Sequence, residues 1–224
     1  MKKNKTIFDD GYQEYLVEGA DFDGPDGIPC LMDLRNAEIP SRLIPFSKAR
    51  TAKKKTGYIH FFEHDIRFYD VLASTKDYIG ILQQFDGIIT PDPTIKIGKS
   101  RCLHATSTYM NRAVGYYAQK NGIPVIPNVR WGDASTYDFA FLGLPRHSVV
   151  CVSTHGAIKR CVSNGNYLRR CFRDGLLEML KRLEPSCIIV YGYMPNDIFG
   201  DLVDKWKFVR YPNEFEEVHA KGEN

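Results

Sequence analysis

Polar side chains that could act as acids, bases or anion ligands follow four apolar segments of this sequence. They are Glu63, His64 and Asp65; Asp92; Arg130, Trp131 and Asp133; and Ser153, Thr154, His155 and Gly156. Carboxylates and imidazoles transfer protons, and a guanidinium binds phosphate through paired N–H donors. If the apolar segments are parallel strands, these side chains meet at one edge of a sheet, where ligands bind in α/β proteins. The pattern therefore predicts one site with acid–base and anion-binding groups.

Three of these residues are our candidates for catalysis. Asp92 or Glu63 would be the carboxylate nucleophile or general base, and His155 would be the acid–base residue. Each has a structural alternative. Glu63 could be an ordinary polar residue at a strand end, and Asp92, between two prolines, could order a turn through its side chain. His155 could be hydrogen-bonded where a strand ends.

A second group of residues would hold the ligand. Its members are Asp65, Asn111, Arg112, Asn128, Arg130, Trp131, Asp133, Ser153, Thr154 and Gly156. Arg130 would clamp an anion, Trp131 would stack on a base or a sugar, and Gly156 would let the backbone approach a phosphate. In the alternative interpretation, Arg130 pairs with Asp133 or Asp138, and Trp131 covers the core.

The familiar catalytic and nucleotide-binding motifs are missing from the sequence. It contains no Gly-x-Ser-x-Gly, no Walker A loop and no dinucleotide-binding glycine fingerprint. Glu63, His64, Asp92 and His155 match no known metal spacing, so we predict no metal site and assign no cofactor. The three lysines at positions 53–55 are more typical of a solvated loop than of a phosphate-binding patch.

Composition limits the class of protein. The 224 residues are 43% hydrophobic and 25% charged, with a net charge of +3, as expected for one soluble globular domain. No apolar run is long enough to span a membrane, and no signal core follows the first residues. The six cysteines form no Cys-x-x-Cys pair, which favours a reducing compartment. We expect a cytoplasmic protein without a membrane partner.

The elements that would position the site follow from the apolar segments. We predict strands at 29–32, 58–62, 88–90, 124–129, 148–153, 187–191 and 207–211. We predict helices at 74–84, from Thr106 or Ser107 to 120, at 167–183 and from 195. Short, continuously apolar strands that alternate with helices predict a mostly parallel sheet with helices on both faces, either an open sheet or an incomplete β/α barrel. The whole chain, 1–224, would be a single α/β domain, with an irregular N-terminal wrap at 1–50 and a frayed tail at 212–224.

Several motifs together resemble a widespread, uncharacterised domain family of phages, plasmids and integrated elements. They are Phe-Phe-Glu-His-Asp at 61–65, Asp-Gly-Ile-Ile-Thr-Pro-Asp at 86–92, Asn-Arg at 111–112, Ile-Pro-Asn-Val-Arg-Trp-Gly at 126–132, Ser-Thr-His-Gly at 153–156 and Tyr-Gly at 191–192. The resemblance covers about residues 40–200 at the scale of a single domain. It implies the fold and a mobile-element context, and it implies no activity. A fainter analogy links the order of the motifs to tRNA-guanine transglycosylase-like barrels, whose cysteine-rich zinc site is absent here.

The leading functional hypothesis is a mobile-element enzyme with a nucleotide- or nucleic-acid-directed site at the carboxyl ends of the parallel strands. Such an enzyme would cleave or exchange a glycosidic or phosphoester bond. A second hypothesis is a non-catalytic binder that sequesters a nucleotide signal or inhibits a host defence protein. A third is a replication or DNA-binding accessory protein. The partner would accordingly be a nucleotide, a nucleic acid or a host protein.

Overall fold

The computed structural model describes residues 13–32, 38–158 and 163–216. Within these ranges the strands are β1 (Phe22–Asp23), β2 (Ile28–Pro29), β3 (Leu43–Pro45), β4 (Tyr58–His60), β5 (Gly87–Ile89), β6 (Val125–Ile126), β7 (Val149–Ser153), β8 (Cys187–Tyr191) and β9 (Phe208–Tyr211). The helices are α1 (Tyr69–Ala73), α2 (Lys76–Leu82), α3 (Arg101–Lys120), α4 (Tyr137–Ala140), α5 (Gly165–Leu183) and α6 (Asn196–Phe199). Short 3-10 turns lie at Glu14–Val17, Phe46–Lys48, Asp65–Arg67 and Ala134–Thr136.

The strands from β3 to β9 are parallel and follow one another in chain order. One sheet has the order β3-β4-β5-β6 and a second has the order β7-β8-β9, whereas β1 and β2 form a separate antiparallel pair. A parallel bridge between Asn128 and Cys151 joins the two sheets. It is made by the N–H groups of Val129 and Cys151, which donate to the carbonyls of Cys151 and Pro127 at 2.8 Å each. The predicted α/β class with parallel strands is confirmed.

Helices cover the outer face of each sheet. Against β3 to β6, helices α1 to α3 bury a cluster that includes Phe68, Leu82 and Val114. Against β7 and β8, helices α4 to α6 bury a second cluster that includes Phe139 and Leu176. The apolar stripe of α5 repeats at helical spacing and faces the sheet, as expected for a helix buried along one side.

The inner faces of the two sheets pack against each other. A third buried cluster has no helical residue and takes side chains from β4, β5, β6, β7 and β8, with Leu43 of β3 and Val209 of β9 packed against it. The sheets therefore curve around a shared interior but remain open between β3 and β9, a gap that we call the seam. Across the seam, the Tyr211 hydroxyl donates to the carbonyl of Pro40. The strands therefore form open parallel sheets, one of the two forms that the sequence predicted.

Some element boundaries differ from the predictions. Helix α3 begins at Arg101, about one turn and a half before the predicted start, because no helix-breaking residue follows Ser100. Strand β3 was not predicted, since Pro45 and Pro40 marked the segment as irregular. Proline is tolerated there because β3 is the edge strand of its sheet, where a missing N–H breaks no ladder.

The predicted N-terminal wrap and C-terminal tail are described in part by the structure. Residues 1–12 and 33–37 of the predicted N-terminal wrap, and residues 217–224 of the predicted tail, lie outside the described residues. Within 13–32, a 3-10 turn and the β1–β2 hairpin precede the main sheet, and Leu16 and Leu31 are buried. No helix in the described ranges is long and apolar enough to cross a membrane.

Candidate functional site

Asp92 lies in a buried hydrogen-bond network at the carboxyl ends of β5 and β6. Its Oδ1 accepts a hydrogen bond from Asn128 Nδ2 at 2.7 Å, and its Oδ2 is paired with Arg130 Nη1 at 2.6 Å. Burial raises the pKa of the Asp92 carboxyl, while the Arg130 guanidinium and the Asn128 amide oppose that rise. The structure thus brings together three of the residues that the sequence nominated for one site.

Asn111 joins this network from α3. Its Oδ1 accepts from the Thr90 hydroxyl at 3.0 Å, and its Nδ2 donates to the carbonyls of Pro91 at 2.6 Å and Asn128 at 3.2 Å. The side chain therefore fastens α3 to the ends of β5 and β6. We call Asp92, Asn111, Arg112, Asn128 and Arg130 the Asp92 network.

Arg112 is the most deeply buried charged member of the Asp92 network, with 1% of its surface exposed. Its guanidinium donates to the carbonyls of Leu142 at 3.0 Å and Ala140 at 2.9 Å, and to Asn111 Oδ1. Burial lowers the pKa of Arg112 to about 9. The donors that the sequence assigned to a ligand hold the 140–142 segment against α3.

The space beside the Asp92 network is small. A cavity of about 10 Å³ lies against Asp92, Thr108 and Arg130, which is the room that one water molecule occupies. Thr108 Oγ1 and Arg130 Nε are buried there and have no hydrogen-bond partner among the described residues. The cavity has no room for a nucleotide, and the hydrogen bonds of the network join α3 to the ends of β5 and β6.

The carboxylates that follow β4 are also engaged. Asp65 accepts from the backbone N–H of Thr94 at 3.1 Å and from its hydroxyl at 2.6 Å. Glu63 accepts from the Ser47 N–H at 2.9 Å and pairs with Arg67 at 3.3 Å. Both carboxylates therefore tie the segments after β3 and β5 to the end of β4.

Trp131 and Asp133 lie in the layer of α4 and α5. The Trp131 ring is 8% exposed, and its Nε1 donates to the Cys171 carbonyl at 3.3 Å. A methyl group at Gly175 of α5 would lie 2.1 Å from that nitrogen, so only glycine allows the ring to pack so closely. Asp133 Oδ1 accepts from the N–H of Ser135 at 3.1 Å and caps the following turn.

The segment after β7 lies beside the end of β8. The Thr154 hydroxyl donates to the Tyr193 carbonyl at 2.8 Å, and Ser153 Oγ accepts from the His155 N–H at 3.2 Å. Gly156 turns the chain with φ of 75°, a conformation that glycine adopts at little cost. These contacts fix the backbone of the segment that carries His155 beside the end of β8.

Several aromatic rings lie close together at the carboxyl ends of the strands. The rings of His60 and Tyr191 have centroids 4.5 Å apart, and Phe62 stacks on Tyr191 at 4.8 Å. The His155 ring lies 6.2 Å from Tyr191 and 5.9 Å from Phe215. Rings from four separate segments therefore meet where β4, β7, β8 and β9 end.

A cavity of about 690 Å³ opens at the seam next to these rings. It is lined by residues 41–45, Lys48, residues 51–54, His60, Tyr191, Tyr211, Pro212 and Glu214. This volume lies within the range of small-molecule and cofactor sites. We call it the seam cleft.

The charges around the seam cleft are mainly positive. Lys53 and Lys54 are exposed and have no ion-pair partner in the part of the chain that the structure describes. Lys48 pairs with Glu214, the acidic residue of the lining. Arg42 donates to the carbonyls of Lys54 and Thr56 at 2.7 Å each, which holds the lysine segment in place. Lys53 and Lys54 are exposed in a loop, as the sequence predicted, and this loop borders the cleft.

His60 forms part of the wall of the seam cleft. It is 1% exposed, its Nδ1 accepts from the Phe62 N–H at 3.1 Å, and burial lowers its pKa to about 3. The imidazole is therefore neutral at pH 7. Because Nδ1 is an acceptor, the ring proton belongs to Nε2, which leaves one N–H donor on this side chain.

The sequence offered weak signals for the seam cleft. The lysine triplet stands immediately before β4, and Tyr191 belongs to the Tyr-Gly pair that ends β8. Neither signal defines a cavity, because the cavity depends on how far the sheets curve. Within the described residues, no group of three or more histidine, cysteine, aspartate or glutamate side chains is arranged to hold a metal ion.

The fold places this protein in a class of α/β domains. Their parallel strands follow one another in chain order, and polar and aromatic side chains lie at the carboxyl ends of the strands. The chain belongs to DUF4417, a family of domains of unknown function, which matches residues 20–212. The predicted resemblance to an uncharacterised, phage-associated family is confirmed.

Two phage proteins are relatives of this chain. The Gene 1 protein of Mycobacterium phage L5 is 30% identical over 183 residues, which are 80% of this chain and 78% of that protein. The Gene 1 protein of Mycobacterium phage D29 is 30% identical over 164 residues, 71% of this chain and 59% of that protein. The match thus spans less than two thirds of the D29 relative. No solved structure matches the chain.

Proposed function

We propose that this domain binds a nucleotide in the seam cleft. The observation that carries the proposal is the combination of a cavity of about 690 Å³ with lysines at its edge and rings in its wall. A nucleotide has an anionic part and a flat aromatic part, and the cleft offers a matching environment for each.

The phosphate would lie near Lys53 and Lys54. Their ammonium groups have no ion-pair partner in the described ranges, so binding a phosphate would not require breaking an existing ion pair. Lys48 would contribute less, because Glu214 already neutralises it. Such contacts in a partly enclosed cleft are stronger than on an open surface, since the local dielectric constant is lower.

The base would lie deeper, beside Tyr191 and His60, which line the cleft. The Tyr191 ring already packs against His60 and Phe62, so the base would contact the edges of these rings. The Nε2–H of neutral His60 would add one hydrogen-bond donor for a ring nitrogen or a carbonyl of the base. Since burial holds the pKa of His60 at about 3, this donor would stay uncharged throughout the neutral pH range.

The state of the carboxylates favours binding over catalysis. Asp92 and Glu63, the candidates for nucleophile or base, accept hydrogen bonds from Asn128 and Ser47 and pair with Arg130 and Arg67. A general base needs a lone pair that can reach a substrate proton. The domain would thus sequester or sense a nucleotide rather than cleave it.

The first experiment measures the affinity for ATP and for adenosine by isothermal titration calorimetry. We expect ATP to bind at least about tenfold more tightly than adenosine, and more weakly as salt is added, because the lysines contact the phosphates. The Lys53→Ala/Lys54→Ala variant should lose most of that difference. Mass spectrometry of small molecules that co-purify with the protein would then identify the natural ligand.

The matched control is Lys205→Ala/Lys207→Ala, which removes two exposed lysines next to the amino end of β9. It should bind ATP like the wild type. Equal loss of affinity in the two lysine variants, or equal binding of ATP and adenosine, would rule out a phosphate site in the seam cleft. ATP recovered as hydrolysed product would show that the domain acts catalytically.

A further inference from the structure

Resting on the proposed nucleotide site, we infer that the natural ligand is a strand of unpaired nucleic acid that leaves the seam cleft across Phe215 and Tyr193. The cleft would take one nucleotide, and these two rings would take its neighbours. Both rings are exposed, and contacts with the segment after β7 hold the Phe215 ring and the Tyr193 backbone in place.

The exposure of the two rings is unusual. Phe215 is 68% exposed and Tyr193 is 62% exposed. Single exposed apolar side chains are common, but exposed rings grouped beside a cavity mark a contact surface. Each ring is at most two residues along the chain from a residue that lines the cleft, Glu214 in one case and Tyr191 in the other. Phe215 also stacks on His155, whose ring lies 6.2 Å from Tyr191 of the cleft, and the Tyr193 carbonyl binds Thr154, the residue before His155.

The segment that carries Tyr193 is fixed to the fold. The Tyr193 carbonyl accepts the hydroxyl hydrogen bond of Thr154, and the Gly192 carbonyl accepts from Arg210 Nε at 2.9 Å. Gly192 has φ of 105°, and a methyl group there would lie 2.8 Å from Thr154 Oγ1. A ring on such a fixed segment loses little freedom when it binds a ligand.

The Phe215 ring is supported from one side. It is stacked on the His155 imidazole, with 22° between the planes and 5.9 Å between the centroids. The opposite face of an exposed ring supported in this way is the surface that an unpaired base needs. This gives His155 a positioning role: it orients the ring and does not react.

Unpaired nucleic acid fits this surface better than a duplex does. Stacking on a side chain requires a base whose face is uncovered, and in a duplex both faces are covered by neighbouring pairs. The lysines at the cleft would meet the backbone phosphates without reading the sequence. Such a combination of a basic groove with successive rings is general to proteins that bind single strands.

The test compares fluorescently labelled oligo(dT) and oligo(U) of eight nucleotides with dTMP and UMP, and adds a duplex of eight base pairs as competitor. We expect the octamers to bind at least about tenfold more tightly than the mononucleotides, because base–ring stacking is worth ~1–3 kcal/mol per base. Comparing the affinities for oligo(dT) and oligo(U) shows whether the protein prefers DNA or RNA. Phe215→Ala and Tyr193→Ala should each weaken octamer binding about tenfold and leave mononucleotide binding within about twofold.

The control is Phe22→Ala, which removes a ring that is exposed in the separate β1–β2 hairpin. It should leave octamer binding unchanged. If octamers and mononucleotides bind equally and both depend on Lys53 and Lys54, the single-strand inference fails while the nucleotide site stands. If none of them binds, both proposals fail. Equal competition by the duplex would also overturn the inference.

Discussion

In the Asp92 network, polar side chains bind atoms of the protein itself, whereas in the seam cleft Lys53 and Lys54 have no ion-pair partner among the described residues. The Asp92 network lies at the carboxyl ends of β5 and β6, whereas the seam cleft runs along the edge of β3, and its lysines lie in the loop before β4. The polar residues of the two regions are therefore of two kinds. Those that close hydrogen bonds between strands and loops contribute to stability, and those left exposed beside a cavity are available to a ligand.

This difference changes which of the residues predicted from sequence are the best candidates for contact with a ligand. Asp92, Asn128 and Arg130 were predicted to lie together, and they do. Their mutual contacts make them poor candidates for contact with a large substrate. Lys53 and Lys54, by contrast, contribute no ion pair to the described fold. The comparison predicts large effects on stability in the first region and effects on binding in the second.

The largest effect on stability is expected for Arg112→Met. This change removes the donors for the buried carbonyls of Leu142 and Ala140, which would cost about 4 kcal/mol of unfolding free energy. Urea denaturation would measure it. Arg146→Met is the control, because Arg146 forms an exposed pair with Glu184 that is worth less than about 1 kcal/mol. A loss below 1 kcal/mol in Arg112→Met would contradict the structural role of the network.

Asp92→Ala is expected to cost about 3 kcal/mol, since Arg130 and Asn128 lose their buried acceptor. The double variant Asp92→Ala/Arg130→Met should be less unstable than the sum of the single variants, because the unpaired cation is gone. Nucleotide affinity, measured by calorimetry, should stay within about twofold of wild type in the folded fraction. Loss of binding without loss of stability would instead place Asp92 in the ligand site.

The acid sensitivity of the fold should depend on His60. Below pH 6.5 the unfolded chain takes up a proton at this residue, and the folded chain does so only near its pKa of about 3. Stability should thus fall by about 1.4 kcal/mol per pH unit between pH 6 and 4 through this group. In His60→Asn, urea midpoints over that range should show a shallower slope, because asparagine keeps an acceptor for the Phe62 N–H without titrating.

The smallest effect on stability is expected for Lys53→Ala/Lys54→Ala. The unfolding free energy should stay within about 0.5 kcal/mol of wild type, since no ion pair in the described chain is lost. The same variant should lose about tenfold in affinity for ATP. A marked loss of stability would show that these lysines hold the fold, and it would remove the contrast between the two regions.

The sequence predicted the strands most reliably where apolar residues run without a break. Strand β8 matches its predicted range of 187–191, and β7 begins one residue late. It did not predict Leu43–Pro45 as a strand, because proline signals dominated that segment. It placed Trp131 with the ligand-binding residues, and the structure places its ring against α5, because a polar context in the sequence does not reveal the gap left by Gly175.

The sequence predicted only those contacts of the site that follow from the parallel direction of the strands. Parallel strands bring Asp92 and Arg130 to one rim, and that contact followed from the pattern. The seam cleft depends on the curvature that places β9 near β3, which is a property of the packed interior and has no local sequence signal. The sequence therefore predicted an exposed lysine loop but not the cleft beside it.

The bridge between Asn128 and Cys151 has a consequence for how the molecule opens. The two sheets share a buried interior, but between β6 and β7 a single pair of backbone hydrogen bonds joins them, and each sheet has its own helical cover. Native proteins open in cooperative units that often coincide with such supersecondary groups. In deuterium exchange, the amides of β4 and β5 would form one protection class and those of β7 and β8 another. The two sheets would then open as separate cooperative units, divided at the bridge between β6 and β7.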